Sequence, residues 1–174
     1  MLILGVVYIF ECLKMDFKIS KSILVRIFLT IYRFGNWVYY NVRVPIVRQI
    51  LLVIYRVVDF AIIRIVGGGE LPAQCSIGGG LRLPHGLKGI VIHGNCVIGE
   101  NVTIFHQVTL GVNDYDTVNY GAPSIRDRVY IGAGAKIIGH IFIGSDAKIG
   151  ANAVVITDVP ANSTAVGVPS RIVK

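Results

Sequence analysis

The stretch IGAGAKIIGHIFIGSDAKIGANAVVITDVP, residues 131–160, repeats itself every six residues. Aliphatic Ile131, Ile137, Ile143, Ile149 and Val155 open successive units, and Ala135, Ile141, Ala147, Ala153 and Val159 follow four places later. A hexapeptide period belongs to a parallel β-helix, in which each unit supplies one short strand and one corner. Three units close a coil, and stacked coils bury the first and fifth positions in one continuous core. An ordinary β-sandwich would instead need turn signals about every 8–12 residues.

The frame continues upstream. Leu71, Ile77 and Leu83 open three units, Ile92, Ile98 and Ile104 three more, Leu110 another, and Ile125 restores the frame after a break. The sequence therefore predicts a mainly β protein, with a parallel β-helix over residues 67–174 and an amphipathic α-helical segment over residues 1–66.

Charge divides along the same line. Of the formal net charge of +7, residues 1–66 hold nine Lys or Arg against three acids, whereas residues 67–174 hold eight against seven. The β-helix is nearly neutral, and no nucleic-acid partner is expected. Cys12, Cys75 and Cys96 show neither paired nor metal-type spacing, and the last two fall at the inward fifth position of their units. They read as core filler in a reducing, cytoplasmic protein.

Residues 22–40 and 44–66 are apolar runs interrupted or bordered by Arg26, Arg33, Arg43, Arg48, Arg56 and Arg64. At 100° per residue Arg48, Arg56 and Asp59 project to one side of the second run and leave a wide apolar face. Pro45 suits the first turn of that helix. Neither run offers about 20 uninterrupted apolar residues, so a spanning helix is not expected. Two readings stay open for residues 15–66: packing on a partner subunit, or peripheral contact with the inner membrane face, arginines toward anionic headgroups. The opening MLILGVVYIF resembles the apolar part of a signal sequence but lacks a basic flank and a cleavage site; alternatively Met15 is the natural start.

Four histidines offer acid–base chemistry: His85, His93, His106 and His140. His85 and His106 are each third in their unit, and the openers Leu83 and Ile104 differ by one coil plus three extra residues around Lys88–Val91. The two should share one outward column on neighbouring coils, roughly 4.8 Å apart. A γ-type carbonic anhydrase, the zinc-binding reading of a β-helix, needs converging histidines at a spacing absent here, so no metal is expected.

Three segments, LPHGLKGIVIHGNCVIGENVTIFHQVTLG (83–111), IGAGAKIIGHIFIGSDAKIGANAVV (131–155) and AVGVPSRIV (165–173), resemble the hexapeptide-repeat acyltransferases. The resemblance spans about residues 70–173. It is similar to the serine acetyltransferase branch, and within it to capsule or exopolysaccharide acetyltransferases. It implies a left-handed β-helix, transfer of acetyl from acetyl-CoA to a hydroxyl, and a homotrimer or dimer of trimers with each site between adjacent β-helices. His85 matches the family's catalytic histidine and Glu70 the position of the carboxylate that orients it; His106, its column neighbour, either joins the catalytic set or only shapes the cleft. Acetyl-CoA is expected in a groove lined by Gly111, Ala133 and Ala135, with Lys136, Lys148 and Arg171 meeting its phosphates.

Two departures bear on the acceptor. The family's aspartate before the catalytic histidine is Pro84 here, and its Arg-His-Pro segment is Gly121-Ala122-Pro123. Losing charge-assisted contacts to an amino acid argues against free serine. The loop at 111–124, with Asn113, Asp114, Tyr115, Asp116, Asn119 and Tyr120, suits a sugar and equally suits a solvated loop. The expectation is an O-acetyltransferase acting on a sugar of a polysaccharide or its precursor. The alternatives are the serine O-acetyltransferase of cysteine biosynthesis and a non-catalytic β-helix scaffold.

Overall fold

Short strands with an outward residue followed by a buried aliphatic one stack into three ladders. The computed structural model describes residues 2–115 and 120–173, with side chains from Gly5 onward. The first ladder holds Ser76–Ile77, Val97–Ile98, Ser124–Ile125 and Phe142–Ile143. The second holds Thr103–Ile104, Tyr130–Ile131, Lys148–Ile149 and Thr164–Val166. The third holds Val91–Ile92, Thr109–Gly111, Lys136–Ile138 and Val154–Val155. All pair in parallel, and the three ladders are the sides of a left-handed β-helix. The unit openers Ile131, Ile137, Ile143, Ile149 and Val155 are 0% exposed, so the six-residue period is the period of burial.

The fourth residue of a unit turns the corner with positive φ. Asn101, Gln107, Asp146 and Asn152 take it, as does Gly134. Asn and Asp reach this region more readily than most side chains, which explains their recurrence there.

Register records two insertions. Val91 stacks on Thr109 and Lys136 on Val154, 18 residues apart, but Arg82 stacks on Thr103, 21 apart. The three extra residues form two tight turns, Gly86 N donating to Leu83 O and Ile90 N to Leu87 O. Thr103 stacks on Tyr130, 27 apart, because the loop after Gly111 is extruded. At the far end Arg171–Val173 folds back antiparallel on Thr164–Val166 and covers the last coil's edge.

Three helices cover the other end: α1 (Leu2–Ile19), α2 (Ile23–Asn41) and α3 (Pro45–Val58), the last continuing as a π-helix over Asp59–Val66. Ser22 caps α2, its Oγ accepting from Val25 N, and Pro45 opens α3. The first coil's free edge presents carbonyls, and helix side chains satisfy them. Tyr32 Oη donates to Cys75 O at 2.6 Å, Asn36 Nδ2 to Ala73 O and Cys75 O at 2.9 Å each, and Tyr40 Oη to Gln74 O at 2.7 Å.

The tightest tie is ionic. Asp16 (0% exposed) and Arg33 (2%) pair at 3.0 Å. Arg33 also donates to the carbonyls of Ile77 and, at 2.6 Å, Gly78, while Asp16 Oδ1 accepts from Gly80 N and Leu81 N at 2.8 and 3.0 Å. Burial works against the guanidinium's charge, and the Asp16 carboxylate more than offsets it, holding the group above its ordinary value. Val25, Phe28, Leu29, Tyr32 and Ile63 extend the core of the coils, so helices and β-helix share one interior.

Arg33→Met leaves Asp16 charged, buried and unpaired. It should cost about 3–5 kcal/mol in urea unfolding. A loss below about 1 kcal/mol would show that this pair does not hold the cap.

Candidate active site

The two turns that absorb the extra residues set His85 on the corner between the second and third sides. Counting three residues on from Arg82, Thr103, Tyr130 and Lys148 places His85, His106, Ala133 and Ala151 in one column. The imidazoles of His85 and His106 stand perpendicular, centroids 5.0 Å apart. His85 is exposed and His106 half-buried. Nδ1 of His106 is buried and has no hydrogen-bond partner among the described residues. Below the pair the column shrinks to Ala133 and Ala151, which leaves a shallow groove leading away from the imidazoles.

Phe105 and Tyr130 complete the wall. Phe105 lies 5.7 Å from His85 and 5.1 Å from Tyr130, centroid to centroid. Sequence reasoning did not single them out, although Phe105 beside His106 and Tyr130 on the next coil, both at outward positions, were a signal. Lys148 and Arg171 are exposed on the second sheet, on the side that borders this corner. Gly111 is half-buried, and a Cβ there would meet Ile138 Cδ1 at 3.2 Å.

Three expectations need correction. Ala135 is 0% exposed and belongs to the core, since the fifth position points inward; its side chain cannot line a groove. Lys136 Nζ donates to Gln107 O at 2.5 Å, so its ammonium is held by the neighbouring corner. Glu70 Oε1 accepts from Arg64 Nη1 at 2.9 Å, and among the described residues no hydrogen bond joins it to His85. The nearby guanidinium draws the carboxylate, and Arg64 in turn reaches Asp59 at 3.4 Å.

The extruded loop leaves the opposite end of the third side, after Thr109–Gly111. Within one chain the structure does not bring it to the histidine corner. Asn113 Oδ1 accepts from Tyr115 N at 3.2 Å, Asp114 is exposed, and Tyr115 and Tyr120 are 99% and 53% exposed. Asp116 and Asn119 lie outside the described residues. Gly121 packs on the His140 ring, and Ala122 and Pro123 are buried against the coil. His93 Nδ1 accepts from Asn95 N at 3.2 Å, a local turn contact.

Neither cysteine of the coils is placed to carry an acyl group. Cys75 and Cys96 are buried in the core, and burial pushes the Cys96 thiol up to about 12 and Cys75 well above its ordinary value. Among the described residues no three His, Cys, Asp or Glu gather to hold a metal ion. A cavity of about 290 Å³ between α3 and the first coil, lined by Tyr39, Tyr55, Asp59 and Gln74 among others, contains neither histidine. The histidine corner is open, and becomes a cleft only against another surface.

Comparison with known proteins bears on that chemistry. No family model matches the chain. It is 46% identical over 111 residues to the serine acetyltransferase of Staphylococcus aureus (strain Mu50 / ATCC 700699), covering 64% of this chain and 51% of that one. The chain thus spans about half the length of the curated relatives it matches first. Among solved structures, soybean serine acetyltransferase apoenzyme superposes with a TM-score of 0.80 at 29% identity, covering 95% of this chain and 69% of that one. A serine acetyltransferase in complex with CoA gives 0.78 at 30% identity, with 95% and 69% covered.

These relatives overturn the expected sugar acceptor and lend no support to the likeness to capsule or exopolysaccharide enzymes. The departures at Pro84 and Gly121-Ala122-Pro123 remove two sets of contacts, but an amino acid's charges can be met by other side chains facing the cleft. Sequence likeness along the coils and fold likeness through helices and coils together give the assignment. The chain belongs to the hexapeptide-repeat acyltransferases, on their serine acetyltransferase branch.

Proposed function

We propose that the chain is a serine O-acetyltransferase, moving acetyl from acetyl-CoA to the hydroxyl of serine. The observation that carries this is the His85–His106 pair, 5.0 Å apart at the head of the alanine column, in a chain whose curated relatives are serine acetyltransferases. Residues 67–174 carry the chemistry, and residues 1–66 cap the coils.

The acceptor hydroxyl is too weak an acid to be ionised at neutral pH, and an imidazole titrates in the range needed to take its proton. His85 removes that proton as the oxygen attacks the thioester carbonyl. The tetrahedral intermediate collapses with expulsion of the CoA sulfur, which leaves as the thiol after taking the proton back from the imidazolium. One C–S bond breaks and one C–O bond forms. His106, perpendicular to His85, fixes the ring's orientation. Glu70 serves His85 only if its carboxylate leaves Arg64, and we assign it an electrostatic contribution at the edge of the site. The pantetheine lies along the column past Ala133, where short side chains permit close approach, and Lys148 and Arg171 on the bordering second side meet the phosphates; Gly111, at the far end of the third side, is off this path in one chain.

The working unit in this reading is a homotrimer. The histidine corner and the loop carrying Asn113, Asp114, Tyr115 and Tyr120 sit at opposite ends of one side, so a neighbouring β-helix brings a second chain's loop to the first chain's histidines. Light scattering at micromolar concentration should give three chains per particle or a multiple of three; an active monomer would sink the shared site.

His85→Ala should lower turnover with acetyl-CoA and serine by roughly 10²–10⁴-fold, with acetyl-CoA affinity by calorimetry little changed. Full activity in that variant removes the mechanism. Wild-type protein should release CoA thiol with serine as acceptor. If it binds acetyl-CoA yet leaves serine unacetylated, the acceptor assignment falls; if it does not bind acetyl-CoA, the scaffold reading replaces the enzyme.

A further inference from the structure

The helical cap is turned inside out. On α3 and the start of the π-helix the side facing the protein carries Arg48, Leu52, Tyr55 and Asp59, whereas solvent meets a continuous aliphatic face flanked by exposed Gln49 and Arg56. Ile46 is 74% exposed, Ile50 55%, Val53 48%, Ile54 51% and Val57 65%, with Val47 and Val58 at the margin. On a helical wheel these seven span about 140° without a polar residue. Phe60, Ile65 and Val66 continue the exposed apolar surface along the π-helix. The seven side chains alone expose on the order of 600 Å², the upper end of what a monomer leaves to water. Twenty of the 30 large hydrophobic residues exposed among the described residues lie in residues 7–66.

We propose that this face of α3 is a lipid-contact surface that lies in the plane of an anionic membrane. Length sets the orientation: no helix among the described residues is long and apolar enough to cross a membrane. The 22 residues from Pro45 to Val66 would run ~33 Å along the interface.

Charge selects lipid over a second copy. Residues 1–66 hold nine basic side chains and three acids, and two of those acids, Asp16 and Asp59, are buried in ion pairs with Arg33 and Arg64. Lys18, Lys21, Arg26, Arg43 and Arg56 are on or near the exposed surface of the cap. A second copy of the cap carries the same net positive charge and cannot neutralise it. An anionic headgroup layer neutralises it while the acyl boundary takes the aliphatic face.

The test uses the full chain and sedimentation with vesicles of phosphatidylcholine alone or with phosphatidylserine, so it does not depend on catalysis. The expected result is co-sedimentation with the anionic vesicles and little with the neutral ones. Binding should weaken severalfold as salt rises. Ile50→Glu and Val57→Glu, at exposed positions, should each lower the bound fraction at least tenfold while keeping the wild-type circular dichroism and melting temperature. Binding that survives both substitutions overturns this face as the contact. If wild type ignores the vesicles, the proposal falls. Should the same substitutions then shrink the particle in light scattering, the face belongs to a second copy of the chain.

Discussion

A β-helix must end somewhere, and its first coil ends in a row of unpaired carbonyls and amides. Here the buried Asp16–Arg33 pair closes that row: the arginine takes the carbonyls of Ile77 and Gly78, and the aspartate takes the amides of Gly80 and Leu81. Neither charge would survive burial alone. Together they satisfy four backbone groups that would otherwise template another strand. Tyr32, Asn36, Tyr40 and Tyr55 extend the same device to the carbonyls of residues 71–75. Much of the polar side of α2, and Tyr55 of α3, is therefore spent on the coil edge. An amphipathic helix whose polar side faces the protein leaves its aliphatic side to the surroundings. The outward apolar face of α3 follows from how the first coil is capped.

The coil period makes the candidate chemistry in the same mechanical way. Stacked coils repeat side-chain positions at one strand spacing, so two histidines in equivalent slots must meet. The three extra residues between Leu83 and Ile92 would have broken that equivalence had they formed part of a strand. They are absorbed in consecutive turns closed by Gly86 (φ +70°) and Gly89 (φ +69°), where a side chain would be strained. His85 thereby stays above His106 while the loop is displaced outward. The alanines that follow in the column keep side chains short there, and the Phe105 ring packs against His85 with Tyr130 behind it.

What could be read from the chain tracks how local each cause is. The six-residue frame, the buried openers and the His85–His106 column follow from counting, because a solenoid maps sequence distance directly onto space. Ala135 was also decidable by counting, since a fifth-position residue points into the core; assigning it to a groove put the shortness of its side chain above its place in the repeat. Glu70 was not decidable. Its partner Arg64 comes from a π-helix, whose wider turn cannot be read from a heptad-like pattern, and an ion pair between elements has no sequence period. The wheel of α3 displayed an apolar side but not its direction, which depends on the carbonyls it caps. The acceptor was misread for a related reason: Pro84 and Gly121-Ala122-Pro123 show which contacts are missing, and missing contacts do not identify what replaces them.

Both unfinished surfaces of the single chain share a logic. The histidine corner has its nucleophile-activating groups on one edge and its long loop on another, with a flat strand side between them. Acyl transfer from a thioester needs water kept from the carbonyl, or hydrolysis competes with the acceptor. An open corner cannot exclude water, so the chemistry proposed for it needs a second surface over the imidazoles, which the proposed neighbouring β-helix would supply. The cap is different, because its exposed face is aliphatic without a polar group that would specify an orientation. A surface of that kind suits a fluid partner better than a rigid one, while the mixed polar and aromatic corner suits a rigid one. The two proposals thus call for different neighbours, one protein and one lipid.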